Sequence, residues 1–133
     1  VGFSRANLYG KYFDSYNEEA QRPFIIAQVE HIDAIKNLED ILKVKGLDAI
    51  ILGPYDLSAS MGITGQFDRN EYFQVIGEFE NIMAKSKIPF GIHIVHPQKD
   101  VLKSKIGHGY LFIGYGTDAL FLFKSSQIPE GWG

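Results

Sequence analysis

The sequence predicts an α/β fold in which four parallel strands alternate with helices. Two observations lead to this prediction: four short runs are apolar enough to be buried on both faces, and the segments that follow them carry apolar residues at helical spacing. Strands of this kind form parallel sheets that helices cover. The pattern is that of a doubly wound sheet or of a (β/α)8 barrel, of which four units would fill half.

The first strand and helix follow an irregular lead-in. Residues 1–22 mix aromatic residues with Gly, Asn and acids without a clean period, which predicts a loop-rich segment. From Pro23 the run PFIIAQVE predicts the first strand. The segment DAIKNLEDILKVKG then predicts a helix, and its last residue, Gly46, is placed to end that helix in the left-handed conformation.

The second unit contains the longest predicted helix. LDAIILGP predicts a strand that stops at a Gly-Pro pair, and Asp68 with Glu71 forms a D-x-x-E start for the helix RNEYFQVIGEFENIMAKSK. The apolar stripe predicted to bury this helix consists of Tyr72, Ile76, Phe79 and Met83.

Two more units complete the series. IPFGIHIV predicts the third strand, and PQKDVLKSKIG predicts a helix that Pro97 opens. YLFIGYG predicts the fourth strand, followed by a short helix in TDALFLFKSS. The prediction is therefore one domain, 1–133, with four βα units over 23–124 and a tail over 125–133.

Composition and charge exclude several classes of function. The formal net charge of −3 and the absence of a basic stripe argue against a nucleic acid partner. No apolar run approaches the roughly 18 to 20 residues of a membrane span, so no membrane partner is expected. The chain has no cysteine, which excludes disulfides, thiolate metal sites and a cysteine nucleophile, and fits a cytoplasmic location.

Candidate functional residues lie where the predicted strands end, because both architectures place their chemistry at the carboxyl ends of strands. If the first two strands are neighbours, about 4.8 Å apart, the carboxylates of Glu30 and Asp56 converge. Two carboxylates with open positions suit Mg²⁺ or Mn²⁺. The strand ends are, in chain order, Gln28 with Glu30, Gly53–Asp56, His93–His96 and Gly114–Asp118.

Simpler interpretations of both acids stay open. Asp56 fits the N-cap of a following helix, and Glu30 could form a salt bridge, because an acid that closes an apolar strand must be paired or bind a metal.

The histidines give no second site. His93 and His96, three residues apart on a strand, should face opposite ways and not share a metal. His31 and His108 are interpreted as surface or capping residues.

The segment QVEHIDAIKNLEDILKVKGLDAIILGPYDLSASMG, with GIHIVHP and YLFIGYGTDALFL after it, resembles the HpcH/HpaI aldolase family of metal-dependent 2-oxo-3-deoxy acid aldolases. The similarity extends to about Leu122, and its most specific elements are Q-V-E and G-P-x-D-L-S-x-S-M-G at their separation. The opening VGFSRANLYG resembles the loop that leads into the C-terminal half of that family's barrel.

The resemblance implies the C-terminal half of a (β/α)8 barrel, with these strands as strands five to eight. Glu30 and Asp56 match the two protein ligands of a divalent cation, Mg²⁺ or Mn²⁺ with other divalent ions open, and Gln28 lies beside it. The pyruvate carboxylate would be held by backbone N–H groups of the turn made by Gly53, Pro54, Tyr55 and Asp56.

The implied activity is that of a carbon–carbon lyase, an aldehyde-lyase. Members of the family cleave a 4-hydroxy-2-oxo acid reversibly to pyruvate and an aldehyde, and the metal stabilises the pyruvate enolate. The implied partners are the small-molecule 2-oxo acid and further copies of the chain in a homo-oligomer.

The match to the family is incomplete. The family's histidine base and its assisting arginine belong to the N-terminal half, and no residue here matches either. Arg5 matches an R-A pair whose role stays open. Two alternatives remain: another pyruvate, phosphoenolpyruvate or acyl-CoA lyase or transferase barrel, and a non-catalytic half-barrel.

Overall fold

The computed structural model describes residues 4–126, in which a four-stranded parallel sheet carries helices along one face. The strands are β1 (Ile26–Val29), β2 (Ala49–Leu52), β3 (Phe90–Ile94) and β4 (Phe112–Tyr115). They lie in the order β1-β2-β3-β4, and all three pairings are parallel. The predicted α/β fold, half of a (β/α)8 barrel, is confirmed.

A short 3-10 helix, Arg5–Asn7, precedes seven α-helices in the described residues. They are α1 (Phe13–Glu19), α2 (Ile32–Lys36), α3 (Leu38–Ile41), α4 (Pro54–Ser60), α5 (Asn70–Lys85), α6 (Lys99–Gly107) and α7 (Asp118–Ser125). Residues 127–133, which include most of the predicted tail, lie outside the described residues, as do residues 1–3.

The first helical region differs from its prediction. The lead-in is not only loop, because it contains α1. The single helix expected up to Gly46 is divided into α2 and α3 at Asn37, whose amide Nδ2 donates to the backbone oxygen of Asp33 at 2.7 Å. Asparagine competes in this way for backbone groups of a helix and favours an interruption. Gly46 has a left-handed φ of 87°, but it lies beyond the end of α3.

The second helical region also begins differently. A short helix, α4, starts directly at Pro54, before the position that the alternative interpretation of Asp56 as an N-cap assumed. The start of α5 has Arg69 as its N-cap, and the guanidinium pairs with Glu71 at 2.8 Å, so Asp68 does not form the predicted cap.

The core lies between the sheet and the helices α2 to α5. The predicted apolar stripe of α5 is buried, and Phe79 contacts the ring of Phe90 on β3 at a centroid distance of 5.8 Å. Every second residue of a strand points to the helical side of the sheet, and residues in these positions, such as Val29, Leu52 and Ile92, are buried. The helices therefore cover one face of the sheet.

The other face and both edges of the sheet are open within residues 4–126. The register aligns Gln28, Ile51, Gly91 and Phe112 on this open face. β1 pairs only with β2, and β4 pairs only with β3. Apolar side chains next to these edges are exposed, among them Phe24 at 70% and Leu111 at 74%.

No helix in the described part of the chain is long and apolar enough to cross a membrane.

Candidate active site at the carboxyl ends of the strands

Glu30 stands at the carboxyl end of β1 on the open face of the sheet. It lies two residues after Gln28, so the pleat directs both side chains to the same face. The amide Nε2 of Gln28 donates to Oε2 of Glu30 at 2.6 Å. Within residues 4–126 Glu30 forms no ion pair, so the salt bridge considered for it is not seen there. Its carboxylate is oriented by one amide and keeps acceptor capacity for a ligand.

Gly53 brings the end of β2 against this carboxylate. Its N–H donates to the backbone oxygen of Val29 at 3.0 Å and so continues the pairing of β1 with β2. A Cβ at this position would lie 3.1 Å from both Nε2 of Gln28 and Oε2 of Glu30. The glycine therefore allows a closer approach between strand end and carboxylate than a larger residue would.

Asp56 lies in the first turn of α4, three residues after Gly53. The N-cap of α4 is Gly53, and Pro54 occupies its first position. Asp56 is exposed and is not the N-cap that the simpler interpretation assigned to it. The helix begins earlier because proline is preorganised for the first helical position.

The backbone donors predicted for this turn are fewer than expected. The N–H of Gly53 is used in the sheet, and Pro54 has no N–H. The first N–H groups of a helix have no partner within the helix. Of the four residues predicted to bind the substrate carboxylate, Gly53, Pro54, Tyr55 and Asp56, only Tyr55 and Asp56 therefore have backbone N–H groups available to donate to it.

The two serines of the L-S-x-S stretch hold α4 in place. The hydroxyl of Ser58, which is buried, donates to the backbone oxygen of Tyr55 at 2.8 Å and accepts from the N–H of Gly65 at 2.9 Å. The hydroxyl of Ser60 accepts from the N–H of Ile32 at 2.9 Å and so ties α4 to the chain just after Glu30. Our sequence interpretation missed both roles. Their only signal was the tendency of serine to bond nearby backbone groups.

The described residues contain no group of three or more His, Cys, Asp or Glu side chains that could hold a metal. A cation at these strand ends would take Glu30 and Asp56 and complete its shell with water or substrate oxygens. Mg²⁺ and Mn²⁺ fit such a set of hard oxygen donors, since Mg²⁺ usually keeps several waters and uses one or two carboxylates.

His93 and His96 lie on the other side of Gly53. His93 is in β3, where Nε2 is 3.2 Å from the backbone oxygen of Gly116, and His96 follows β3 with its ring 6.2 Å from that of Tyr55. A cleft of about 500 Å³ lies on the helical side of this strand end, and its lining includes His93 and His96 together with residues of α5 and α6.

The other two histidines have structural partners. His31 caps α2, because its Nδ1 accepts from the N–H of Asp33 at 3.1 Å, which confirms the capping interpretation. His108 is half exposed and contacts the carboxylate of Glu80 at 3.2 Å.

A cluster of charged and polar groups lies away from the strand ends, between α5 and the chain leading into β4. Glu80 accepts from Nζ of Lys105 at 3.1 Å and from the hydroxyl of Tyr110 at 2.9 Å. Burial alone would raise the pKa of Glu80, but the hydrogen bonds and positive charge of its partners hold that pKa below its usual value. Burial raises the pKa of Tyr110. These groups join a helix to the sheet and do not belong to the candidate site.

Comparison with known proteins identifies the family to which this chain is similar. The model of the HpcH/HpaI aldolase/citrate lyase family matches residues 7–124. A 4-hydroxy-2-oxovalerate aldolase of Rhodococcus jostii is 29% identical over 128 residues, which are 96% of this chain and 48% of that protein. A 4-hydroxy-2-oxo-heptane-1,7-dioate aldolase of Escherichia coli is 31% identical over 125 residues, 93% of this chain and 47% of that protein.

Solved structures agree on the fold. The crystal structure of an HpcH/HpaI aldolase/citrate lyase family protein from Burkholderia cenocepacia matches with a TM-score of 0.78 at 22% identity, over 95% of this chain and 48% of that one. The chain spans about half the length of the curated relatives it matches. With its family model matched over residues 7–124, the chain belongs to the HpcH/HpaI aldolase/citrate lyase family.

Proposed function

We propose that this chain supplies the cation-binding and 2-oxo-acid-binding half of a lyase that cleaves a 4-hydroxy-2-oxo acid reversibly to pyruvate and an aldehyde. The observation that carries the proposal is the packing of the Gln28–Glu30 pair against Gly53, three residues before Asp56. The names of the relatives support the same reaction class, since they are aldolases of 4-hydroxy-2-oxo acids.

The proposal assigns a role to four residues at the ends of β1 and β2. Glu30 and Asp56 would hold Mg²⁺ or Mn²⁺, and Gln28 orients the Glu30 carboxylate through its hydrogen bond. When bound, the cation supplies a Lewis acid that stabilises negative charge on the oxygens of the 2-oxo acid as the carbon–carbon bond breaks. The N–H groups of Tyr55 and Asp56 would donate to the substrate carboxylate.

Other parts of the reaction would come from elsewhere. The cleavage also needs a base for the C4 hydroxyl proton and a donor to the keto oxygen, and we assign both to the other half of a complete barrel. The complete protein would act as a homo-oligomer in the cytoplasm.

Exchange of the methyl protons of pyruvate tests this function without the aldehyde. In a complete protein that carries this half, exchange with D₂O followed by NMR should require Mg²⁺ or Mn²⁺ and stop on chelation, because enolate formation needs the Lewis acid. An activity that resists chelation and is trapped by borohydride would instead indicate a Schiff-base lysine and contradict the proposal.

A further inference from the structure

Two backbone segments carry the candidate cation ligands, and they are hydrogen-bonded to each other on both sides of those ligands. One segment runs from β1 into α2 through Glu30, and the other runs from β2 into α4 through Asp56. On the strand side, the N–H of Gly53 donates to the backbone oxygen of Val29 at 3.0 Å, one residue before Glu30. This bond fixes the start of one segment against the start of the other.

The second connection is made by the side chain of Ser60, the half-buried last residue of α4. Its hydroxyl donates to the backbone oxygen of Leu57 at 2.7 Å, and the same hydroxyl oxygen accepts from the N–H of Ile32 at 2.9 Å. Ile32 begins α2, so its N–H is one of those that a helix leaves without an internal partner. Ser60 thus joins the end of α4 to the chain two residues after Glu30.

The geometry of α4 places this bond and the second ligand on the same side of the helix. Asp56 and Ser60 are four residues apart, a spacing that puts two side chains on one face of an α-helix, about 6 Å apart along its axis. The face of α4 that meets the start of α2 therefore also carries the carboxylate of Asp56.

We propose that Ser60 is a positioning residue, which holds Asp56 at the distance from Glu30 at which both carboxylates bind one cation. The inference rests on the proposed function, because the shared cation site is part of that function. Ser60 contacts neither the cation nor the substrate in this proposal and acts through the backbone. With its hydroxyl removed, the bond of Gly53 would remain, and α4 would turn about that end.

A positioning role has a consequence that a general role in stability lacks. Ligands held in place before a cation arrives bind it more tightly, because less conformational freedom is lost on binding. The Ser60 hydroxyl should therefore matter only when both carboxylates are present. Where one carboxylate binds the cation alone, its distance from the other position has no effect on affinity.

Variants of the complete protein carrying this half test this consequence. Ser60→Ala removes the hydroxyl, Ser60→Thr keeps one on the same carbon, and Ser60→Ala combined with Asp56→Ala tests Ser60 when Glu30 is the only carboxylate. Ser86→Ala is the matched control, because the half-buried Ser86 hydroxyl accepts from the N–H of Ile88 at 3.0 Å, between α5 and the amino end of β3.

Isothermal titration with Mn²⁺ gives the affinity of each variant. Ser60→Ala should bind Mn²⁺ about three- to tenfold more weakly than the wild type, the range expected for one lost hydrogen bond. Ser60→Thr and Ser86→Ala should stay within about twofold of the wild type. Added to Asp56→Ala, the change Ser60→Ala should alter the affinity by less than about twofold, since the two positions are coupled.

Other results would overturn the inference in ways that can be told apart. Wild-type Mn²⁺ affinity in Ser60→Ala, beside weakened binding in Asp56→Ala, would leave the proposed function standing without a role for Ser60. An equal loss from Ser60→Ala with and without Asp56 would show that Ser60 acts on the fold or on Glu30 alone. Equal affinity of the wild type and Asp56→Ala would remove the shared site, and with it both this inference and the proposed function.

Proton exchange of pyruvate separates the site from the reaction. The expected pattern of Mn²⁺ affinities in a protein without metal-dependent exchange would support the positioning role of Ser60 and contradict the proposed function.

Discussion

Gly53 is the residue on which the geometry of the strand ends depends most. Its backbone continues the sheet from β1 and caps α4, and the carboxylate of Glu30 lies where its side chain would begin. Its φ of −102° is accessible to any residue, so the requirement for glycine here is one of space and not of backbone conformation.

Gly53→Ala should therefore weaken cation binding more than it affects folding. The added methyl group would displace the Glu30 carboxylate or the Gln28 amide by a few tenths of an ångström, and we expect Mn²⁺ affinity to fall about tenfold, as for other changes that reorient a ligand. Isothermal titration in the complete protein measures this.

Gly77→Ala is the matched control for that substitution. Gly77 lies inside α5, and a Cβ there would contact nothing within 4 Å. The control should leave Mn²⁺ affinity unchanged and stabilise the fold by about 0.5–1 kcal/mol, because alanine favours a helix interior over glycine. Equal affinities for the wild type and Gly53→Ala would show that Glu30 tolerates the contact and would contradict the role given to Gly53.

The sequence was most informative for residues whose position follows from strand periodicity. Glu30 and Gln28 could be placed on one face because side chains alternate along a strand. The roles of Ser58 and Gly53 could not be predicted, since both depend on contacts between segments that only the folded chain brings together. His93 was predicted to face away from His96, but its alignment with Glu30 requires the register of three strands.

The elements of the fold were predictable to different degrees. The four strands and α5 carry strong apolar patterns, so both their existence and the buried face of α5 followed from the sequence. The interruption at Asn37 is set by a side-chain hydrogen bond, and the start of α4 is set by the fixed backbone conformation of Pro54; apolar spacing encodes neither.

The cluster around Glu80 fastens α5 to α6 and to the start of β4, and it should make stability depend on pH. The pKa of Glu80 in the folded protein is below its usual value, so the ionised carboxylate stabilises the fold at every pH above the pKa of the unfolded chain. This stabilisation is lost as the pH falls through the lower pKa of the folded protein. Glu80→Gln should lower the free energy of unfolding by about 1–2 kcal/mol at pH 7. The difference from the wild type should shrink toward pH 3.

Urea unfolding of the complete protein at both pH values measures this difference. Glu78→Gln, an exposed substitution on the same helix, is the control and should change little at either pH. A deficit for Glu80→Gln that is the same at pH 7 and pH 3 would contradict the account of this cluster.

At the scale of the whole molecule, the sheet resembles half of a barrel with its inner side uncovered. One face and two edges of the described sheet have no partner. The chain also spans only about half the length of the curated relatives it matches. Exposed apolar surface and unprotected strand edges of this kind favour association.

The 133-residue chain by itself should therefore associate and should not cleave a 4-hydroxy-2-oxo acid. Sedimentation should show species larger than a monomer, because the apolar open face and the edges near Phe24 and Leu111 are exposed. Addition of a complementary half-barrel should shift the chain toward a defined complex. A compact monomer that cleaves the substrate unaided would show that the base and the keto-oxygen donor lie within these residues, against the proposal.

Glu30 and Asp56 together should bind one divalent cation, and titration of Mn²⁺ into the complete protein tests this claim. Glu39→Gln and Asp40→Asn are matched controls, because both remove exposed acids from α3, a helix that begins eight residues after Glu30 and leads away from the end of β1. We predict one site whose affinity falls at least about tenfold in Glu30→Gln and in Asp56→Asn and stays unchanged in the controls. Equal Mn²⁺ affinity in all four variants would contradict the claim.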